Sequence, residues 1–192
     1  MLMSLPGPIH SYAYTEYVLL EEHSPVRHEF IAGEIYAMAG GTPEHAALAA
    51  SVLRLLGNQL PSGCRAYTSD LRVRVATADV TTYPDGAIIC GKVVRAADDP
   101  LAATNPIVVI EVTSPSTETY DKGAKLDIYK TLPSLKEIVI VSHREPHISV
   151  HRRKPDGTWE TLEAREPAAP LEVQSIGAQL TLGDVYRDFE PA

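Results

Sequence analysis

The chain is poor in cysteine, in positive charge and in long apolar runs, and each scarcity removes a class of protein. Its 192 residues hold two cysteines, Cys64 and Cys90. Two make a poor disulfide framework, and neither has the short-spaced histidine and cysteine partners of a zinc site. Each is expected in a core as a small apolar residue. No apolar run approaches the ~20 residues of a membrane span. The opening MLMSLPGPIHS has neither the basic region nor the apolar core of a signal peptide, so a cytoplasmic protein with no membrane partner is expected. The formal net charge of -8 argues against a broad, nonspecific nucleic-acid surface, though not against a local one. The local candidates are Arg65, Arg72 and Arg74 in CRAYTSDLRVRV and the run His151, Arg152, Arg153 and Lys154. Their ordinary reading is a solvated strand face and a charged turn. The sequence also lacks a G-x-S-x-G elbow, a Walker A loop and a Rossmann glycine pattern, which disfavours serine hydrolases and nucleotide-cofactor enzymes.

What remains suits one domain over residues 1–192, long enough to bury roughly 70% of its extended surface without disulfides. SYAYTEYVLLEE reads as a helix with Thr15 as N-cap, stopped by Pro25. RHEFIAGEIYAMAG alternates across Ala32–Gly33, a hairpin pattern. Thr42 caps the next helix, with Pro43 at its first position. That helix runs to about Leu60 and puts His45, Ala49, Val52 and Leu56 on one face. CRAYTS and LRVRVAT read as strands, and AIIC and PIVVIEV as central strands because they are apolar on both faces. Ser116 or Thr117 would cap a helix from about Glu118 to Lys130, weakened at Gly123. EIVIVS, HISVHRR, WETLEA and LEVQS continue as strands, and LTLGDVYRDF closes as a short helix or turn. The fold class is α/β, a mixed sheet with helices beside it.

Two acids interrupt this apolar pattern. Asp85 follows a proline at the mouth of AIIC, and Glu111 closes the run from Ile107. Antiparallel neighbours would bring both to one sheet end, where a partly desolvated carboxylate needs a cation or a donor. Two such groups are the usual protein anchors of Mg²⁺. Asp121, Lys125 and Tyr129 follow at i, i+4 and i+8 on one helix face, which offers an ammonium beside them. Taken singly, Asp85 is a turn residue in PDG, Glu111 a partner for a backbone N–H, and Lys125 half of a solvated salt bridge. His45, on an apolar stripe, is by itself a boundary histidine.

The stretches RHEFIAGEIYAM, PEHAAL, YPDGAIIC, IVVIEVTSPST and YDKGAKLDIYK followed by LKEIVIVS together resemble the Uma2 or DUF820 family. This bacterial group, abundant in cyanobacteria, is assigned to the PD-(D/E)XK restriction-endonuclease-like superfamily. The resemblance runs from about Tyr14 to about Val185. It implies a restriction-endonuclease-like core (about 14–186) with an N-terminal helix and hairpin, and Asp85 and Glu111 as metal-binding carboxylates. The superfamily's usual lysine position, two residues after the second acid, holds Thr113. In this group the following helix is implied to supply the lysine, which puts Lys125 in that role with Asp121 and Tyr129 as companions. His45 and Glu34 match positions near the site, with Glu34 offering a third acidic contact.

The expected function is a Mg²⁺- or Mn²⁺-dependent endonuclease acting on DNA, plausible as a homodimer because two strands need two sites. Two other classes stay open. One is a silent binding module for nucleic acid or protein, favoured by the acidic balance. The other is a hydrolase of a small phosphorylated molecule, which needs less positive surface.

Overall fold

The computed structural model describes residues 11–114, 118–121 and 123–189. The N-terminal decapeptide and the Ser116 or Thr117 cap lie outside them. Helix α1 (Tyr14–His23) begins before the expected Thr15 cap. The Ala13 N–H donates to the Glu16 carboxylate at 2.7 Å, so a first-turn glutamate closes this end in place of a hydroxyl. The helix stops ahead of Pro25. Strands β1 (His28–Ile31) and β2 (Glu34–Ala37) form the expected hairpin. Ala32 and Gly33 both take positive φ, 47° and 92°, the combination that matches a two-residue turn to strand twist. Helix α2 (Pro43–Gly57) is capped by Thr42, whose Oγ1 accepts the His45 N–H at 3.3 Å. It buries Leu48, Val52 and Leu56 and ends at Gly57, short of Leu60.

The chain continues through β3 (Cys64–Thr68), β4 (Arg72–Val75), β5 (Val80–Thr82), β6 (Gly86–Cys90), β7 (Ala102–Ala103) and β8 (Val108–Val112). Helices α3 (Glu118–Asp121) and α4 (Ala124–Lys130) follow, then β9 (Glu137–Val141), β10 (Ile148–Arg153), β11 (Trp159–Glu163), β12 (Leu171–Val173), β13 (Ala178–Leu180) and α5 (Leu182–Val185). The main sheet has the order β11-β10-β9-β8-β6-β3. Within it β8 and β9 are parallel and the other neighbours antiparallel. The apolar run of β8 is explained by cores on both its faces. Val108, Ile110 and Val112 meet α2, while Val109 joins Leu126 and Tyr129 of α4. A second sheet, β2-β1-β5-β4-β7, carries the hairpin, and β12 pairs with β13 alone. The expected α/β class, mixed sheet flanked by helices, is borne out, with the strands shared among three sheets. Strands β5 and β7 of the second sheet, three and two residues long, are too short to show a period.

Four expectations are corrected. Arg72 and Arg74 are not on a solvated face but 6% and 5% exposed. Arg72 donates to the fully buried Asp99 at 2.7 Å and to the Tyr83 hydroxyl at 2.8 Å, and Arg74 stacks on Tyr14. Paired and stacked in this way, guanidinium groups tolerate burial. His151, Arg152 and Arg153 form no charged turn. They lie in β10, half-buried, with Arg152 bound to buried Glu137 and Arg153 over Trp159. Cys64 and Cys90 stand directly opposite on β3 and β6 and are joined as a disulfide, not separate core thiols. Finally, the helix expected over Glu118–Lys130 is two helices, with the break at Gly123.

Candidate active site

Strands β6 and β8 are antiparallel, with Gly86 opposite Ile110 and Ala87 opposite Val109. The same register extended by one residue sets Asp85 against Glu111. Gly86 permits this approach. A Cβ there would lie 2.7 Å from Leu53 Cδ2 and 3.1 Å from Ile110 Cδ1, so a larger residue would have to displace the ends of these side chains where α2 lies over the start of β6. Asp85 Oδ2 accepts the Val112 N–H at 2.8 Å. His45 reaches the same point from α2, its Nε2 being 3.2 Å from Asp85 Oδ2 and 2.9 Å from the Val112 carbonyl oxygen. The Asp85 carboxylate beside it raises the His45 pKa above its ordinary value, more than burial lowers it.

Glu111 is 3% exposed. Its Oε1 lies 2.9 Å from Lys125 Nζ and accepts the Tyr129 hydroxyl at 2.5 Å. Lys125 and Tyr129 share one face of α4, four residues apart, and both are buried. The ammonium also faces Glu29 Oε1 at 3.4 Å and Asp121 Oδ1 at 3.7 Å. Thr82 of β5 donates its hydroxyl to that same Glu29 oxygen. Three carboxylates therefore surround one lysine.

Burial pushes the Glu111 carboxyl up to about 8. Lys125 opposes that rise, and Asp85 and Asp121 add to it. Burial alone would discharge Lys125, but Glu111, Tyr129, Glu29 and Asp121 hold its pKa well above the ordinary value. The ammonium is the charge that persists, because several acids face a single base. Burial and the neighbouring Glu111 also keep the Tyr129 phenol neutral, as a donor.

Of the residues singled out by sequence, Asp85, Glu111, Lys125, Asp121, Tyr129 and His45 gather at this sheet end. Thr113 is also there, fully buried, with its hydroxyl 2.8 Å from His143 Nδ1. Glu34 is not brought in. It is exposed near the hairpin turn, where its carboxylate accepts from Tyr36. The acid that reaches Lys125 from the hairpin is Glu29. Sequence reasoning missed Glu29 and His143, and no local signal marks either. Glu29 is selected by the pairing of β1 with β5, and His143 by the loop after β9.

Among the described residues, no three His, Cys, Asp or Glu side chains converge closely enough to hold an ion by themselves. Two carboxylates remain, Asp85 bonded through Oδ2 and Glu111 through Oε1. Each has a second oxygen, so the pair fits a hard divalent cation that completes its shell with other oxygens. The arrangement juxtaposes acid ligands, a persistent ammonium and neutral donors, which is a set suited to stabilising charge on a phosphoryl group.

A family model described as "Uma2: Putative restriction endonuclease" matches residues 14–183. "Uncharacterized protein slr1290" of Synechocystis sp. is 34% identical over 173 residues, covering 90% of each chain. "Uncharacterized protein sll1609" of the same organism is 31% identical over 160 residues, covering 82% of this chain and 89% of its own. Among solved structures, the crystal structure of "a putative nuclease belonging to DUF820" from Anabaena variabilis superposes with a TM-score of 0.71. It is 20% identical, over 93% of this chain and 98% of that one, a likeness of fold.

Proposed function

The chain belongs to the Uma2 family, and from that premise we propose that it is a Mg²⁺- or Mn²⁺-dependent endonuclease hydrolysing DNA phosphodiester bonds. The observation that carries this reading is the buried Lys125 ammonium, 2.9 Å from Glu111, at the sheet end where Asp85 stands opposite Glu111. A structural core has no need of this combination, since burying unneutralised acids costs several kcal/mol per ion. In the proposal Asp85 and Glu111 hold the cation. When bound, it would polarise the scissile phosphate and lower the pKa of a water molecule. Lys125 neutralises charge developing on the phosphate and steers the attacking water. Glu29 and Asp121 keep Lys125 charged, and Tyr129 donates to Glu111 so that its carboxylate stays oriented. A lysine carried on α4 serves as well as one on β8, because the position of the ammonium matters and not the backbone that bears it. Thr113, held by His143, shapes the end of β8. A homodimer would supply one site per strand.

The test is cleavage of supercoiled and single-stranded DNA by the purified chain with Mg²⁺ or Mn²⁺, beside Asp85→Ala and Lys125→Met, with folding followed by circular dichroism. Cleavage by the wild type, lost in both folded variants, is the expected result. No cleavage with either metal, or cleavage retained in Asp85→Ala, overturns the proposal.

A further inference from the structure

We propose that the Cys64–Cys90 disulfide is a reversible redox clamp. Oxidised, it fastens β3 to β6; reduced, it loosens the strand pair that seats Asp85. The two cysteines are partners at one end of the β3–β6 ladder, with Cα atoms 3.9 Å apart. Thr68 and Gly86 are partners at the other end, and Asp85 comes next in the chain. The bond joins residues 26 apart in sequence. The loop it closes leaves the main sheet, passes through β4 and β5 of the second sheet, and returns with Asp85. A short connection, residues 58–63, ties Cys64 to the end of α2, the helix that brings His45 to Asp85 from its other end. The consequence for activity rests on the nuclease reading of the site, whereas the clamp itself does not.

The position of the bond suits exchange more than permanent bracing. A chain of this length closes its core without a cross-link, and both cysteines only border the first core, beside Leu60. Among the described residues β3 is the last strand of the main sheet, with β6 as its one strand partner. Cys64 and Cys90 are half-buried between exposed Gly63, Arg65 and Gly91, so a small thiol can reach the sulfurs at the sheet rim. A thiolate attacks one sulfur and the S–S bond breaks. The other cysteine leaves as a thiolate and takes up a proton. A second thiol attacks the reagent sulfur of the mixed disulfide and releases the first cysteine. Two electrons and two protons pass to the pair, and the reagent departs as its own disulfide. The five register pairs of the ladder, and the Gly91 N–H donated to the Gly63 carbonyl at 2.8 Å, hold the cysteines opposite each other. The bond can therefore re-form. Opening it returns freedom to the loop it had closed, and an edge strand with one partner is where such freedom appears first.

The experiment equilibrates the full chain in buffers of varied glutathione and glutathione disulfide. Alkylation and mass spectrometry count the free thiols, circular dichroism follows folding, and amide hydrogen exchange follows backbone opening. The double variant Cys64→Ser with Cys90→Ser stands for the permanently open pair. In the expected result the folded protein passes reversibly between disulfide and dithiol. The Gly91 amide then exchanges faster in the reduced form by about tenfold or more, the low side of what a cross-link contributes. The Val112 amide, which donates to Asp85 at 2.8 Å, speeds up with it, and the double variant matches the reduced form. A bond that glutathione opens only in urea is a structural cross-link, and would overturn the proposal. So would cysteines that never pair in glutathione disulfide, a rise confined to Gly91, or no rise at all. If the double variant does not fold, the wild type reduced in place gives the same comparison. None of these readouts depends on DNA cleavage, so this proposal and the nuclease proposal fail separately.

Discussion

Lys125 Nζ and Glu111 Oε1 are 2.9 Å apart, and their side chains are 9% and 4% exposed. An ion pair this buried stabilises little in total but is costly to break from one side, since the remaining charge has no solvent. Lys125→Met should therefore destabilise the fold increasingly as the pH rises above about 8, where Glu111 ionises beside Lys125, toward a cost of about 3–5 kcal/mol, measured by urea denaturation. The loss should shrink as the pH falls and Glu111 takes up a proton. A loss that does not change with pH would mean that Glu111 is not the group left unpaired.

Glu111 also makes the stability of the metal-free protein depend on pH. Its carboxyl is raised from 4.5 to about 8. The neutral form is favoured in the fold, so its contribution is fully present below the unfolded value and is lost as the pH rises through about 8. The wild-type melting temperature without metal should decline over this window more steeply than that of Glu111→Gln. Cation binding requires the ionised acid, so Mg²⁺ affinity should rise with pH over the same range and protons should be released. Calorimetry in buffers of different ionisation enthalpy measures that release.

The hairpin acids separate a structural contact from a surface one. Glu29→Ala removes a carboxylate 3.4 Å from Lys125 and should lower cleavage activity. Glu34→Ala, on an exposed strand, should leave stability within about 0.5 kcal/mol and activity unchanged. Equal effects in the two variants would contradict the placement of β1.

Gly86→Ala tests the closeness of α2 to β6 and β8. The added methyl meets Leu53 at 2.7 Å, and overpacking of this kind costs about 1–3 kcal/mol. Adding Leu53→Ala should recover part of the loss. Urea denaturation of the two single variants and the double variant closes the cycle.

What the sequence by itself determined is local. Two residues of suitable conformation set the Ala32–Gly33 turn. Thr42 and Pro43 set the start of α2, and five apolar residues ending in Glu111 set a strand with a core on each face. Each of these signals is contained in a few neighbouring residues. The superfamily position of Thr113, the acids Asp85 and Glu111, and the helix bearing Lys125 were legible in the same way, as residue types in order. Only the tertiary structure decided which of them meet. Glu29 rather than Glu34 faces Lys125 because β1 pairs with β5. Cys64 meets Cys90 because β3 and β6 pair in that register. The alternating arginines of β4 are buried because Asp99, Tyr83 and Tyr14 arrive from distant segments to receive them. Such contacts depend on strand order and register across long stretches of chain, and that information is held in the packing of the whole molecule.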